Sequence, residues 1–143
     1  MKKLLLLLSF VAVSLTSCSN DDDSSSSVAV NEANLMKKWY YVSYEVAGQT
    51  IPYDNLACAR DYTEFKANGV LEEYTVYSCD PIDADTDAGT WSLSGNTISG
   101  TIFGETVTGT VSSLTATTLQ ITDTFDFDED GTDDTVKVNY STN

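Results

Sequence analysis

GTWSLSGNTISGTIFGETVTGTV, residues 89–111, alternates small polar residues with apolar ones or glycines. It reads as three short antiparallel strands joined by two-residue turns at Gly95-Asn96 and Gly104-Glu105. On those turns Leu93 faces Ile98 and Ile98 faces Val111; Trp91 faces Gly100 and Gly100 faces Gly109; Ile102 faces Val107. That face is wholly apolar or glycine, whereas Thr90, Ser92, Thr97, Ser99, Thr101, Thr106, Thr108 and Thr110 fall on the other. A single register thus satisfies turn chemistry and one-sided burial together.

Outward from this segment the chain continues as short strands. Residues 28–38 read as a short helix, with Asn31 at its N-cap and Leu35 and Met36 facing inward. Strand 39–46 follows with poor alternation, Trp39 and Tyr41 on one side and Tyr40, Val42, Tyr44 and Val46 on the other. Residues 49–57, with Pro52, read as a loop. Residues 60–66 and 70–77 form a hairpin about Asn68-Gly69, and a two-residue turn there sets Ala67 opposite Val70. Continued, the same register sets Cys58 opposite Cys79, where a disulfide is geometrically reasonable and closes a loop worth roughly 3 kcal/mol. Residues 79–88 read as a loop bearing Asp80, Asp83, Asp85 and Asp87, and 112–117 as a turn. In strand 118–125, Leu119, Ile121, Asp123 and Phe125 point inward; after an acidic loop over 126–134, Val136, Val138 and Tyr140 do so in strand 135–140. The fold class is all-β: eight strands in up-and-down antiparallel order behind a short N-terminal helix. Closing them into a barrel removes the exposed edges.

At the N-terminus Lys2 and Lys3 precede an almost wholly apolar run over 4–13, too short to span a bilayer. The run ends in Leu15-Thr16-Ser17-Cys18, which resembles the lipobox of bacterial lipoproteins. The resemblance implies that residues 1–17 are a signal peptide and that Cys18 carries the lipid, which attaches the chain to the membrane at about 0.8 kcal/mol per buried CH2. Residues 18–30 then hold the lipidated cysteine and a flexible acidic and serine-rich tether, and 31–143 the barrel domain. Acids directly after the cysteine, Asp21-Asp22-Asp23, also resemble the signal that sends some Gram-negative lipoproteins to the outer face of the outer membrane. The expected location is therefore a surface-exposed outer-membrane lipoprotein, the alternative being one that faces the periplasm. Either compartment permits a Cys58–Cys79 bond.

The chain of 143 residues has 22 acidic and 7 basic side chains and no histidine, a formal charge of −15. Nucleic acid is excluded as a partner, and so is electrostatic adhesion to an anionic membrane. Serines and threonines abound without a base to activate them, so the chain reads as no enzyme. The most specific chemical pattern is Asp126-Phe127-Asp128-Glu129-Asp130-Gly131-Thr132-Asp133-Asp134, which resembles calcium loops of the D-x-D-x-D-G-x-x-D kind. Asp126, Asp128, Asp130 and Asp134 would give carboxylates and Thr132 its carbonyl. Lys137 stands at the twelfth position, where such loops carry a bidentate glutamate, and the alternative is a solvated hairpin tip. Asp83-Ala84-Asp85-Thr86-Asp87 has similar spacing without the glycine.

Leu35-Met36-Lys37-Lys38-Trp39, the Asn68-Gly69 hairpin and Gly89-Thr90-Trp91-Ser92-Leu93-Ser94-Gly95-Asn96 resemble the lipocalin-like domain of bacterial lipoproteins, over residues 33–140. The departure is Lys37, where lipocalins place a glycine two residues before the first tryptophan. The resemblance implies a lipocalin-like barrel whose long-loop end is its mouth. The candidate pocket is Trp91, Gly100, Gly109 and Asp123: the indole lies across from both glycines, and Asp123 is a carboxylate on the inner face, one pair from the mouth, where the alternative is a hydrated rim position. In so small a domain a mostly filled interior is the expectation. Two functions follow. Either the barrel holds a small, partly apolar ligand, as the resemblance implies, or a filled barrel with calcium-stiffened loops serves as a structural surface protein contacting protein or glycan.

Overall fold

The computed structural model describes residues 26–143; the expected signal peptide, Cys18 and most of the expected tether lie outside the described residues. The chain enters along the barrel base, where the Val28 N–H donates to the Leu114 carbonyl. Helix α1 (Glu32–Leu35) is a single turn, capped by Asn31, whose Oδ1 accepts from the Asn34 N–H at 2.9 Å. The helix expected over 28–38 goes no further: Met36 leaves helical geometry at ψ 77°, and the Lys37 N–H turns back to the Leu35 carbonyl, which also accepts the Trp39 indole N–H at 2.9 Å. That carbonyl is the acceptor a second turn would need.

Nine strands follow: β1 (Lys38–Val46), β2 (Gln49–Pro52), β3 (Tyr62–Lys66), β4 (Val70–Cys79), β5 (Ile82–Ser94), β6 (Thr97–Ile102), β7 (Glu105–Leu114), β8 (Thr118–Phe125) and β9 (Asp134–Ser141). From β3 to β9 each pairs antiparallel with the next, β3 and β9 both pair with β1, and an eight-stranded barrel closes. The ninth strand is an addition. Ala47 and Gly48, both at positive φ, fold β2 back on the upper half of β1, where a plain loop was expected.

Two registers and one loop differ from the sequence reading. The β6–β7 turn sits on Phe103-Gly104, at φ 53° and 84°, and not on Gly104-Glu105. A turn with positive φ at both central residues takes its glycine second, which sets Gly100 opposite Val107 and Ile98 opposite Gly109. The shift is two residues, so the inward face survives. The β3–β4 turn has three residues, Ala67 to Gly69, so Lys66 rather than Ala67 opposes Val70. This pairs Phe65 with Leu71, both buried, where the expected register would have put Phe65 beside Glu72. Last, the loop expected over 79–88 is mostly strand: β4 and β5 run on until only Asp80 and Pro81 separate them. Cys58 and Cys79 are bridged, with Cα atoms 5.7 Å apart. The β3–β4 ladder ends below them at Tyr62 and Tyr74, so the bond ties the 53–61 loop to the end of β4 instead of crossing a ladder.

A bulge between Tyr41 and Ser43 explains the poor alternation of β1. It turns both Tyr41 and Tyr44 into the barrel. A second, between Val111 and Ser113, does the same for Val111 and Leu114. The core gathers at the end that carries α1 and the tight turns. Leu35 and Trp39 are fully buried there, packed with Phe65, Trp91, Leu114 and Leu119. The opposite end carries the 80–81 and 103–104 turns and the 126–133 loop.

Candidate functional site

Above that packed floor the barrel is hollow. A cavity of about 460 Å³ opens at the mouth, against the expectation of a filled interior. That volume falls in the range of small-molecule sites. Of the four pocket residues named from sequence, Gly100, Gly109 and Asp123 line it. Trp91 does not. Its indole donates to the Lys66 carbonyl at 2.9 Å and packs on Phe65, 5.1 Å between centroids, closing the floor. Nor do the glycines make room for it. A β-carbon at Gly100 would meet Leu71 Cδ2 at 3.0 Å, and one at Gly109 would meet Ile121 Cγ2 at 2.5 Å. Neighbouring side chains occupy the space the glycines leave.

The lower wall is apolar, with Phe65, Leu71, Ile98 and Ile121. Further up it becomes polar and anionic. Glu73 and Asp87 are direct partners in the β4–β5 ladder and both face the cavity, as do Asp123 on β8 and Glu105 at the rim. The Tyr41 hydroxyl, Thr63 Oγ1 and Glu73 Oε1 form a triangle of 2.9 to 3.0 Å contacts. Two hydroxyl protons serve three contacts, and both hydroxyls reach the same carboxylate oxygen. Glu73 Oε2 receives no hydrogen bond among the described residues.

Tyr41, Tyr44 and Tyr140 make up the phenolic side of the wall, with Tyr41 and Tyr140 rings 4.8 Å apart. Burial pushes all three phenols above their ordinary pKa, and nearby acids, Glu73 for each, add to it. They remain neutral hydroxyls at physiological pH.

A brace behind this wall was not foreseen. Buried Asp61 accepts from the Tyr53 hydroxyl at 2.6 Å and from the Val76 N–H at 2.9 Å. Tyr53 in turn stacks on Tyr41, 4.8 Å away. Asp61 thus holds the 53–61 loop against β4 and behind the pocket. No spacing rule points to it. Glu73 was recoverable, because a three-residue turn at 67–69 sends Thr63 and Glu73 inward together.

Of the calcium ligands named from sequence, Asp126, Asp128 and Asp130 bring carboxylate oxygens within 4.8 Å of one another. Asp126 accepts from the N–H groups of Asp130 and Gly131, and Asp130 from that of Thr132. Asp134 stands apart, as the first residue of β9, accepting from the Phe127 N–H at 3.3 Å. Lys137 reaches outward to Glu45 at 3.3 Å. Asp83, Asp85 and Asp87 do not converge; they alternate along β5, roughly 7 Å from one to the next.

The lipocalin-like domain model matches residues 35–121. Two solved structures share the architecture. A lipocalin-like protein from Bacteroides uniformis ATCC 8492 is 18% identical at a TM-score of 0.56, covering 77% of this chain and 99% of its own. A protein described as uncharacterized, from Bacteroides eggerthii DSM 20697, is 13% identical at 0.55, covering 76% and 99%. At such identities the likeness speaks for the fold alone. No curated protein matches the sequence. With a family match across most of the barrel, and the barrel itself closed by β1 and β9, the chain belongs to the lipocalin-like domain family.

Proposed function

We propose that this chain is a lipid-anchored outer-membrane protein whose barrel carries a small, partly apolar ligand. The observation that supports it is the cavity of about 460 Å³, apolar below and hydroxyl- and carboxylate-lined above. Its family is in general one of binding proteins, and no catalytic role is assigned. Native mass spectrometry of protein from its own host is the test. A co-purifying small molecule is the expected result; bare protein that also fails to take up neutral apolar probes would overturn the reading.

The anchor rests on the lipobox-like Leu15-Thr16-Ser17-Cys18, and surface exposure on the acids that follow. Metabolic labelling with a fatty-acid analogue should be lost in Cys18→Ser, and protease should shave the domain from intact cells. A protein left untouched on intact cells would favour the periplasm-facing alternative.

A second reading is favoured by the convergence of Asp126, Asp128 and Asp130. Here calcium stiffens the 126–134 loop, and the mouth contacts a protein or glycan. Calorimetry at millimolar calcium should then register heat and a raised melting temperature. Neither response would appear if the loop is a solvated tip.

A further inference from the structure

No basic residue of the described chain lines the cavity, although several acids do. The basic residues of the described chain are Lys37, Lys38, Arg60, Lys66 and Lys137. Each has a partner away from the cavity: the Ala116 carbonyl for Lys37, the Tyr62 ring for Lys38, the Tyr40 ring for Arg60, and Glu72 and Glu45 for the other two. None lines the cavity, whose charged groups are four carboxylates: Glu73, Asp87, Glu105 and Asp123.

Two of these are the informative ones. Glu73 and Asp87 are opposed residues of neighbouring strands, which places their β-carbons about 5 Å apart. Like charges so placed are destabilising. On the outer face of the same sheet Glu72 is neutralised by Lys66 at 2.7 Å. Inside, the Tyr41 and Thr63 hydroxyls satisfy one oxygen of Glu73 and leave Oε2 without a hydrogen bond among the described residues. The phenols of Tyr41, Tyr44 and Tyr140 line the same cavity.

We propose that the cavity selects ligands with an apolar body and a cationic head, an ammonium or guanidinium group seated between Glu73 and Asp87. The apolar body lies on Leu71, Ile98 and Ile121 below. This rests on the carrier reading above and narrows it to one class of ligand. It also gives the opposed pair a role: the ligand supplies the countercharge that the chain withholds from its interior.

Three probes of one shape test it: naphthylmethylammonium, naphthylmethanol and naphthylacetate, titrated calorimetrically into the intact domain at low salt. The ammonium should bind at least about tenfold tighter than the alcohol, and the acetate weakest. Glu73→Gln and Asp87→Asn should each erase most of that preference, through loss of the ammonium's affinity. Added salt, about 0.5 M, should weaken the ammonium alone. Should Glu73→Gln fail to fold, Asp87→Asn and the salt series on the unaltered protein still decide. Equal binding of ammonium and alcohol, or a preference surviving both substitutions together, would overturn the cation assignment and leave the carrier reading standing. Binding of none of the three would overturn both.

Discussion

Replacing Asp61 by alanine should be among the most damaging single changes outside the apolar core. The carboxylate is buried at 7% exposure, and so is Val76, at 6%, whose N–H it accepts at 2.9 Å. Without it that N–H is left in a dry place with no acceptor, at about 2 kcal/mol. The Tyr53 hydroxyl, 2.6 Å away, loses a charge-assisted partner. Tyr53 is only half-buried, so water recovers part of that bond and about 1 kcal/mol is the fitting figure. The total is about 3 kcal/mol, roughly 12–20 °C in melting temperature for a domain of this size. Thermal melts followed by circular dichroism measure it. Pairing Asp61→Ala with Tyr53→Phe in a double-mutant cycle isolates the shared bond, for which the coupling should be about 1 kcal/mol. An Asp61→Ala protein melting within about 3 °C of the parent would refute the reasoning, because two hydrogen bonds to a buried carboxylate cannot then be what holds the 53–61 loop.

Gly89→Ala should destabilise by about 3 kcal/mol or more in the same melts, since its β-carbon would lie 2.0 Å from the Thr101 carbonyl oxygen, a backbone atom that only strand separation can move. Burial first, and then nearby acids or phenols, hold Tyr41, Tyr53 and Tyr140 above the ordinary phenol pKa. Because the folded values are the raised ones, the stability they contribute is complete below about pH 10 and lost as pH climbs toward them. Melting temperature should fall above about pH 10, and an absorbance titration should release these three of the chain's eight phenols only as the chain unfolds; ionisation of all eight while the fold is intact would contradict this. Phe103 occupies a positive-φ turn position at 84% exposure, where asparagine is better suited. Phe103→Asn should therefore stabilise by about 0.5–1 kcal/mol and weaken apolar probe binding, since the ring borders the mouth; lower stability would mean that the ring packs more than its exposure suggests.

The parts read correctly from sequence are those where one local rule acts alone. Gly95 at φ 60° fixes the β5–β6 turn, and every pairing expected across it is found. Leu119 to Phe125 and Val136 to Tyr140 alternate without interruption, so their inner faces were plain. Apart from the β6–β7 turn, where glycine was given the wrong turn position, the errors fall where two rules compete. Asn68-Gly69 is a two-residue turn by local chemistry, but burial of Phe65 against Leu71 requires one residue more. The acids of 83–87 look like loop composition, yet pairing with β4 extends them into strand and brings Asp87 opposite Glu73. The cavity wall was therefore hidden by the misread 67–69 turn and the loop assigned to 79–88.

That dependence bears on how the hollow arises. Eight strands leave an interior that side chains are just able to fill, and at the closed end two tryptophans and their neighbours fill it. At the mouth end the chain does not supply smaller residues, for Phe125, Ile102 and Tyr44 all line the opening. What changes is their chemistry. Opposed carboxylates repel across β4 and β5, and buried hydroxyls must stay within reach of Glu73, so these side chains cannot collapse onto one another as Phe65 and Leu71 do below. The glycines reinforce this from behind: Leu71 and Ile121 lean over Gly100 and Gly109 and so lie flat against the wall. The cavity is thus a property of polar wall residues held apart, and replacing Glu73 and Asp87 together by leucines should close it and abolish probe uptake.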